Sequence, residues 1–142
     1  MRQSISLFIA GLLVPASLLM GSSNAIAHQD VTVETVKATV HLEPDDSPYA
    51  TIPSPTWFHL SRPDGETIPL SNCNCNLVVY DEQNQPIAYP QLSEAEVEGH
   101  EQPITTSITF PTPGIYQLVL TGEPKENDFQ PFELTVPVTV RP

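Results

Sequence analysis

The chain is short of basic residues, sulfur and glycine, and each shortage removes a class of function. Five Lys and Arg stand against 17 Asp and Glu, a net charge of −12. That balance excludes nucleic acid and an anionic membrane surface as partners, because both reward positive charge. There are two cysteines, Cys73 and Cys75, one residue apart, so they cannot cross-link distant parts of a fold. The two methionines, Met1 and Met20, lie at the very start, and no thioether ligand follows them. Six glycines are too scattered to form a phosphate-cradling loop, and neither a Gly-x-Ser-x-Gly elbow nor a His-Glu-x-x-His helix occurs. No constellation supplies nucleophile, base and orienter together, so the expected protein is not an enzyme. Glycosylation sequons are also missing, which fits a bacterial source.

What is present begins with an export signal. Arg2 precedes an apolar stretch from Ile5 to Met20, followed by the polar Gly21-Ser22-Ser23-Asn24 and a small-x-small site at Ala25-Ile26-Ala27. Pro15 and Ser17 interrupt the apolar stretch, which is too short for an uncleaved span of about 20 residues. The expectation is a signal peptide over 1–27 and a mature domain over 28–142, periplasmic or secreted, with no stable membrane insertion after cleavage. Cleavage leaves 115 residues, four basic against 17 acidic, a side-chain balance of −13. One core is expected at that length.

Along 28–142 the apolar pattern has period two, in short runs broken by 15 prolines, which predicts an all-β fold. Val31 to Leu42 reads as one or two strands, with Ala38, Val40 and Leu42 inward and Thr39 and His41 outward; Pro44-Asp45-Asp46-Ser47-Pro48 ends it. Strands follow around Thr56–Leu60, Leu77–Tyr80 and Ile104–Phe110. Tyr116, Leu118 and Leu120 share a face just after Pro113-Gly114, an arrangement that resembles the tyrosine corner of immunoglobulin-like domains. Phe132 to Val140 alternates without a break, and Pro137 assigns that strand to an edge or a bulge. The sum is a single immunoglobulin-like antiparallel β-sandwich of about seven strands.

Chemistry can come from sulfur or imidazole. Residues i and i+2 of an extended strand are about 6.6 Å apart, at the limit for a disulfide, but the turn-forming asparagines around Cys73 and Cys75 can supply a bend. The pair is read three ways: a local disulfide without further role, two thiolates for a soft ion such as Cu(I), or a reducible switch. His28, as a mature first residue, offers an α-amine and an imidazole that can close a chelate ring on one ion, and Cu(II) is bound tightest by such donors. His41, His59 and His100 are the remaining imidazoles that can complete the site. Glu94, Glu96 and Glu98 lack the spacing of a calcium loop and read as a solvated acidic edge.

Export, a His28 start and the strand entry Pro113-Gly114-Ile115-Tyr116 together resemble the exported bacterial copper-handling domains of the CopC and YtkA-like types. The resemblance implies an immunoglobulin-like sandwich and, for the first type, Cu(II) at an amino-terminal histidine. It also implies a methionine-rich Cu(I) site, for which this chain has no residues after Met20. The expected function is therefore non-catalytic copper binding or trafficking through His28, with Cys73, Cys75, His41, His59 and His100 as further candidate ligands. The alternatives are a metal-free immunoglobulin-like module that engages a protein partner, and a thiol-redox accessory protein.

Overall fold

A computed structural model describes residues 28–95 and 102–142; the expected signal segment 1–27 and His100, Glu96 and Glu98 lie outside them. The described residues form nine strands: β1 (Gln29–Val33), β2 (Val36–Leu42), β3 (Ser54–Ser61), β4 (Cys73–Tyr80), β5 (Pro86–Ala88), β6 (Ser93–Glu94), β7 (Ile104–Ile108), β8 (Gly114–Pro124) and β9 (Phe132–Val140). They make two antiparallel sheets, β1-β2-β3-β7-β6 and β5-β4-β8-β9. No helix among them is long and apolar enough to cross a membrane.

The order is that of an immunoglobulin-like domain. With β2 taken as strand A, the first sheet runs A-B-E-D and the second C′-C-F-G, and β1 is an additional strand hydrogen-bonded outside A. The two-residue turn at Glu34-Thr35 that creates β1 has no Asn-Gly or Asp-Gly signature; Glu34 takes the left-handed φ of 53° itself. This splits Val31–Leu42 into a hairpin.

Packing follows the alternation. In β9 every second residue from Phe132 to Val140 is buried, and in β8 Tyr116, Leu118 and Leu120 face them across the ladder. From the other sheet Val36, Ala38, Val40, Leu42, Phe58 and Leu60 fill the space between. Burying such aliphatic and aromatic side chains contributes roughly 1.5–3 kcal/mol each, which is what drives two half-apolar sheets together. The Tyr116 hydroxyl donates to the Thr112 carbonyl at 2.8 Å, making the tyrosine corner at the entry to strand F. Pro137 lies on β9, an edge strand, where its missing N–H costs no ladder bond.

Trp57 departs from the familiar pattern. The tryptophan of immunoglobulin domains lies on strand C and packs in the core, whereas Trp57 is on strand B and points outward. Phe58 and Leu60 take the core positions of β3 instead. The extra N-terminal hairpin shifts the count, so the third strand of this chain is B.

Candidate functional site

The site follows from register. In β1 and β2 Gln29 is paired with Val40, so His28, one residue earlier, lies opposite His41; in β2 and β3 His41 is paired with Trp57. Side chains in a cross-strand row share one face. The row therefore carries His28, His41 and Trp57 on the outer face of the five-stranded sheet. Their rings meet: centroids are 4.8 Å apart for His28 and His41, 5.4 Å for His28 and Trp57, and 5.5 Å for His41 and Trp57.

Asp46 enters from the loop after β2. Its backbone N–H donates to the Leu42 carbonyl at 2.8 Å, and its Oδ1 accepts the Leu42 N–H at 2.8 Å, so the turn folds back over the strand end. Asp45 and Asp46 both hold left-handed φ values, 53° and 54°, a conformation that aspartate adopts more readily than most residues. The loop is fastened to the far edge of the sandwich: Ser47 Oγ donates to the Thr139 carbonyl at 3.3 Å, and Arg141 Nε donates to the Ser47 carbonyl at 2.6 Å. Arg141 also stacks 4.1 Å over the Tyr49 ring. Asp46 is thereby held where it can meet His41.

The contact between them is unusual. Asp46 Oδ1 is 2.9 Å from His41 Nδ1, close enough for an ion pair, yet Nδ1 makes no aligned hydrogen bond. Both side chains are largely buried, 12% exposed for His41 and 9% for Asp46, and Asp46 Oδ2 also lacks a partner. The other ring nitrogen, Nε2, is 3.0 Å from Glu43 Oε1. An ionised carboxylate only accepts, so Nε2 must carry the proton there. In neutral His41 this leaves the Nδ1 lone pair facing a carboxylate oxygen, two electron-rich atoms with no hydrogen between them. Buried polar atoms left in this state cost about 1–3 kcal/mol each. A cation placed between them removes the conflict. One donor atom from each of His28, His41 and Asp46 lies within 4.8 Å of the others, a spacing from which a modest contraction reaches metal–ligand distances of about 2.0–2.2 Å.

The remaining candidates are elsewhere. His59 is on the same face two residues along, with Nε2 3.2 Å from Thr67 Oγ1, and is outside the His28–His41–Asp46 group. Cys73 and Cys75 are bonded to each other at the start of β4, in the opposite sheet, with Cα atoms 5.2 Å apart. In that state neither offers a thiolate, and the structure does not bring them to the histidines. Glu94 accepts the Ser71 N–H at 3.0 Å and belongs to a loop contact. Another polar cluster joins Arg62 Nη1 and Asn72 Nδ2 to Asp128 Oδ2 at 2.8 and 2.6 Å, tying the end of β3 to the loop before β9.

Asp46, Glu43 and Trp57 were not legible as site residues. Asp46 looked like part of a strand-ending turn, and its role depends on a loop curling back by four residues. The available signal was the hairpin: once its turn is set at Glu34-Thr35, residues 28, 41 and 57 fall in one row.

No protein-family model matches the chain, and no curated protein matches it in sequence. Among solved structures it is similar to a DUF4426 family protein from Pseudomonas aeruginosa PAO1, at 9% identity, with a TM-score of 0.57, covering 82% of this chain and 98% of that one. At that identity the likeness concerns the bacterial all-β fold alone.

Proposed function

We propose that this is an exported, non-catalytic copper-binding protein that holds Cu(II) through the α-amine and imidazole of a processed His28, the Nδ1 of His41 and the carboxylate of Asp46. One observation carries the reading: a buried imidazole nitrogen and a buried carboxylate oxygen stand 2.9 Å apart without a hydrogen bond, beside the His28 ring. Glu43 supports it by fixing the His41 proton on Nε2, the orienting contact that metal-ligating histidines ordinarily make. The Ala25-Ile26-Ala27 site supports a free amine at His28. Amine and Nδ1 of one histidine then close a six-membered chelate ring, and His41 and Asp46 complete three nitrogens and one oxygen. Such N,O sets suit tetragonal Cu(II), which also stands highest in the divalent affinity order.

The resemblance to CopC and YtkA-like domains agrees with this assignment for Cu(II). For Cu(I) it has no methionines to draw on, and the disulfide holds both cysteines. The excess of acidic residues raises the local concentration of cations around the protein.

The test is a competitive Cu(II) titration of protein beginning at His28, beside a form with one glycine added before His28 and the variant His41→Ala. Affinity of about 1 nM or tighter is expected, weakened at least about 100-fold by either change, each of which removes a nitrogen donor. Micromolar binding indifferent to both changes would overturn the reading and direct attention to a protein partner.

A further inference from the structure

The third ring of the row has no place in the ligand set. Trp57 is the one tryptophan of the chain, half-buried on the outer face of β3. Its centroid is nearly equidistant from the two imidazoles, at 5.4 and 5.5 Å, and the imidazoles are almost perpendicular to each other at 84°. The three centroids form a triangle, so an ion shared by both imidazoles would sit beside the indole, where a cation–π contact within about 6 Å of the ring centroid can form. Indole donates only through its N–H and has no lone pair for a metal. It can therefore occupy space beside the ion without coordinating it.

We propose that Trp57 controls metal exchange at this site: its indole would cover one side of an ion held by His28 and His41, excluding water and slowing attack by an incoming acceptor ligand. The proposal rests on the Cu(II) assignment given above. An incoming ligand must reach the ion from an open side, so an apolar wall beside it would remove approach from that direction. The wall is rigid by construction. Trp57 is paired with His41 on one side and Thr105 on the other, and the same register that delivers His41 delivers the indole. The aromatic face also stabilises the charge that it covers.

The experiment uses Cu(II)-loaded protein beginning at His28, with Trp57→Phe and Trp57→Thr. Two quantities are read: the rate of Cu(II) removal by excess EDTA, and the water-proton relaxivity of the bound ion, which reports water on the metal. Trp57→Thr should speed removal by about two- to thirtyfold, the range equivalent to a cation–π contact, and raise relaxivity, with Trp57→Phe in between. Equilibrium affinity should fall by no more than the same factor, the share that the cation–π contact contributes. Unchanged removal and relaxivity in a variant that still binds Cu(II) would overturn the role of Trp57 while leaving the metal site standing. Absence of Cu(II) binding in the parent protein would instead remove the underlying assignment. If Trp57→Thr does not fold, Trp57→Phe decides by the same two readings.

Discussion

Asp46→Asn separates a ligand from a structural turn residue. In the metal-free protein the Asp46 carboxylate does two opposed things. Its Oδ1 accepts the Leu42 N–H at 2.8 Å, a charge-assisted bond, and it stands 2.9 Å from His41 Nδ1 without an aligned hydrogen bond while Oδ2 stays buried without a partner. Asparagine keeps an acceptor for Leu42 but makes it neutral, a loss of about 1 kcal/mol from the difference between charged and neutral hydrogen bonds. It also removes the negative charge whose second oxygen, Oδ2, is buried without a partner, a gain of about 1–3 kcal/mol. The expected change in metal-free stability, by urea denaturation, is between no effect and a stabilisation of about 2 kcal/mol. The response to metal runs the other way. With Cu(II) at 100 times the dissociation constant, the parent gains about 2.7 kcal/mol by mass action, or on the order of 10 °C in melting temperature for a domain this size. Asp46→Asn, lacking the anionic donor, should lose most of that gain at the same Cu(II) concentration. A metal-free destabilisation above about 2 kcal/mol would refute the reasoning, because it would make Asp46 a cap for the loop and its burial a matter of folding.

Two further outcomes concern the frame that carries the site. Gly122→Ala should destabilise by about 1–3 kcal/mol in denaturant, because an added Cβ falls 2.4 and 2.5 Å from Phe132 ring atoms and 3.0 Å from Cys73 Sγ in a closed core; unchanged stability would show that the Phe132 ring moves aside freely. Replacing both Cys73 and Cys75 by alanine should cost less than the 2–4 kcal/mol typical of a disulfide, since a link across two residues barely restricts the unfolded chain. The same double variant should leave Cu(II) affinity unaltered, and a loss of affinity in the titration would bring the sulfur atoms back into the site.

The fold was legible because its signals are local and repeated. Phe132 to Val140 alternates over nine residues, Pro137 marks an edge strand, and Tyr116 follows a proline-glycine corner; each needs only neighbours in sequence to be read. The inward and outward faces of β2 were read correctly for the same reason, with His41 outward. Val31–Leu42 was read as one or two strands but the turn within it was not located, because Glu34-Thr35 lacks an Asn-Gly or Asp-Gly signature although Glu34 takes the left-handed angle. That single missing turn hid the site, since pairing across it is what sets His28 against His41.

The position of His28 just before an added edge strand has a physical consequence for the proposed metal site. Chain ends normally fray, because their terminal residues have few partners, and a ligand on a frayed end must be ordered at a cost in entropy when metal binds. Here five consecutive pairs from Gln29–Val40 to Val33–Val36 tie β1 to β2. Thr39 Oγ1 adds a bond to Asp30 Oδ1 at 2.6 Å on the same outer face. The residue before Gln29 therefore begins one bond from an anchored strand, with its ring already against His41 and Trp57. Most of the ordering is accomplished in folding, before any ion arrives, which is the condition under which a few donors on a sheet surface can bind tightly. Under the Cu(II) assignment proposed above, the strand outside the immunoglobulin-like frame presents the residue before it, and shortening β1 should weaken the site even where every ligand is retained.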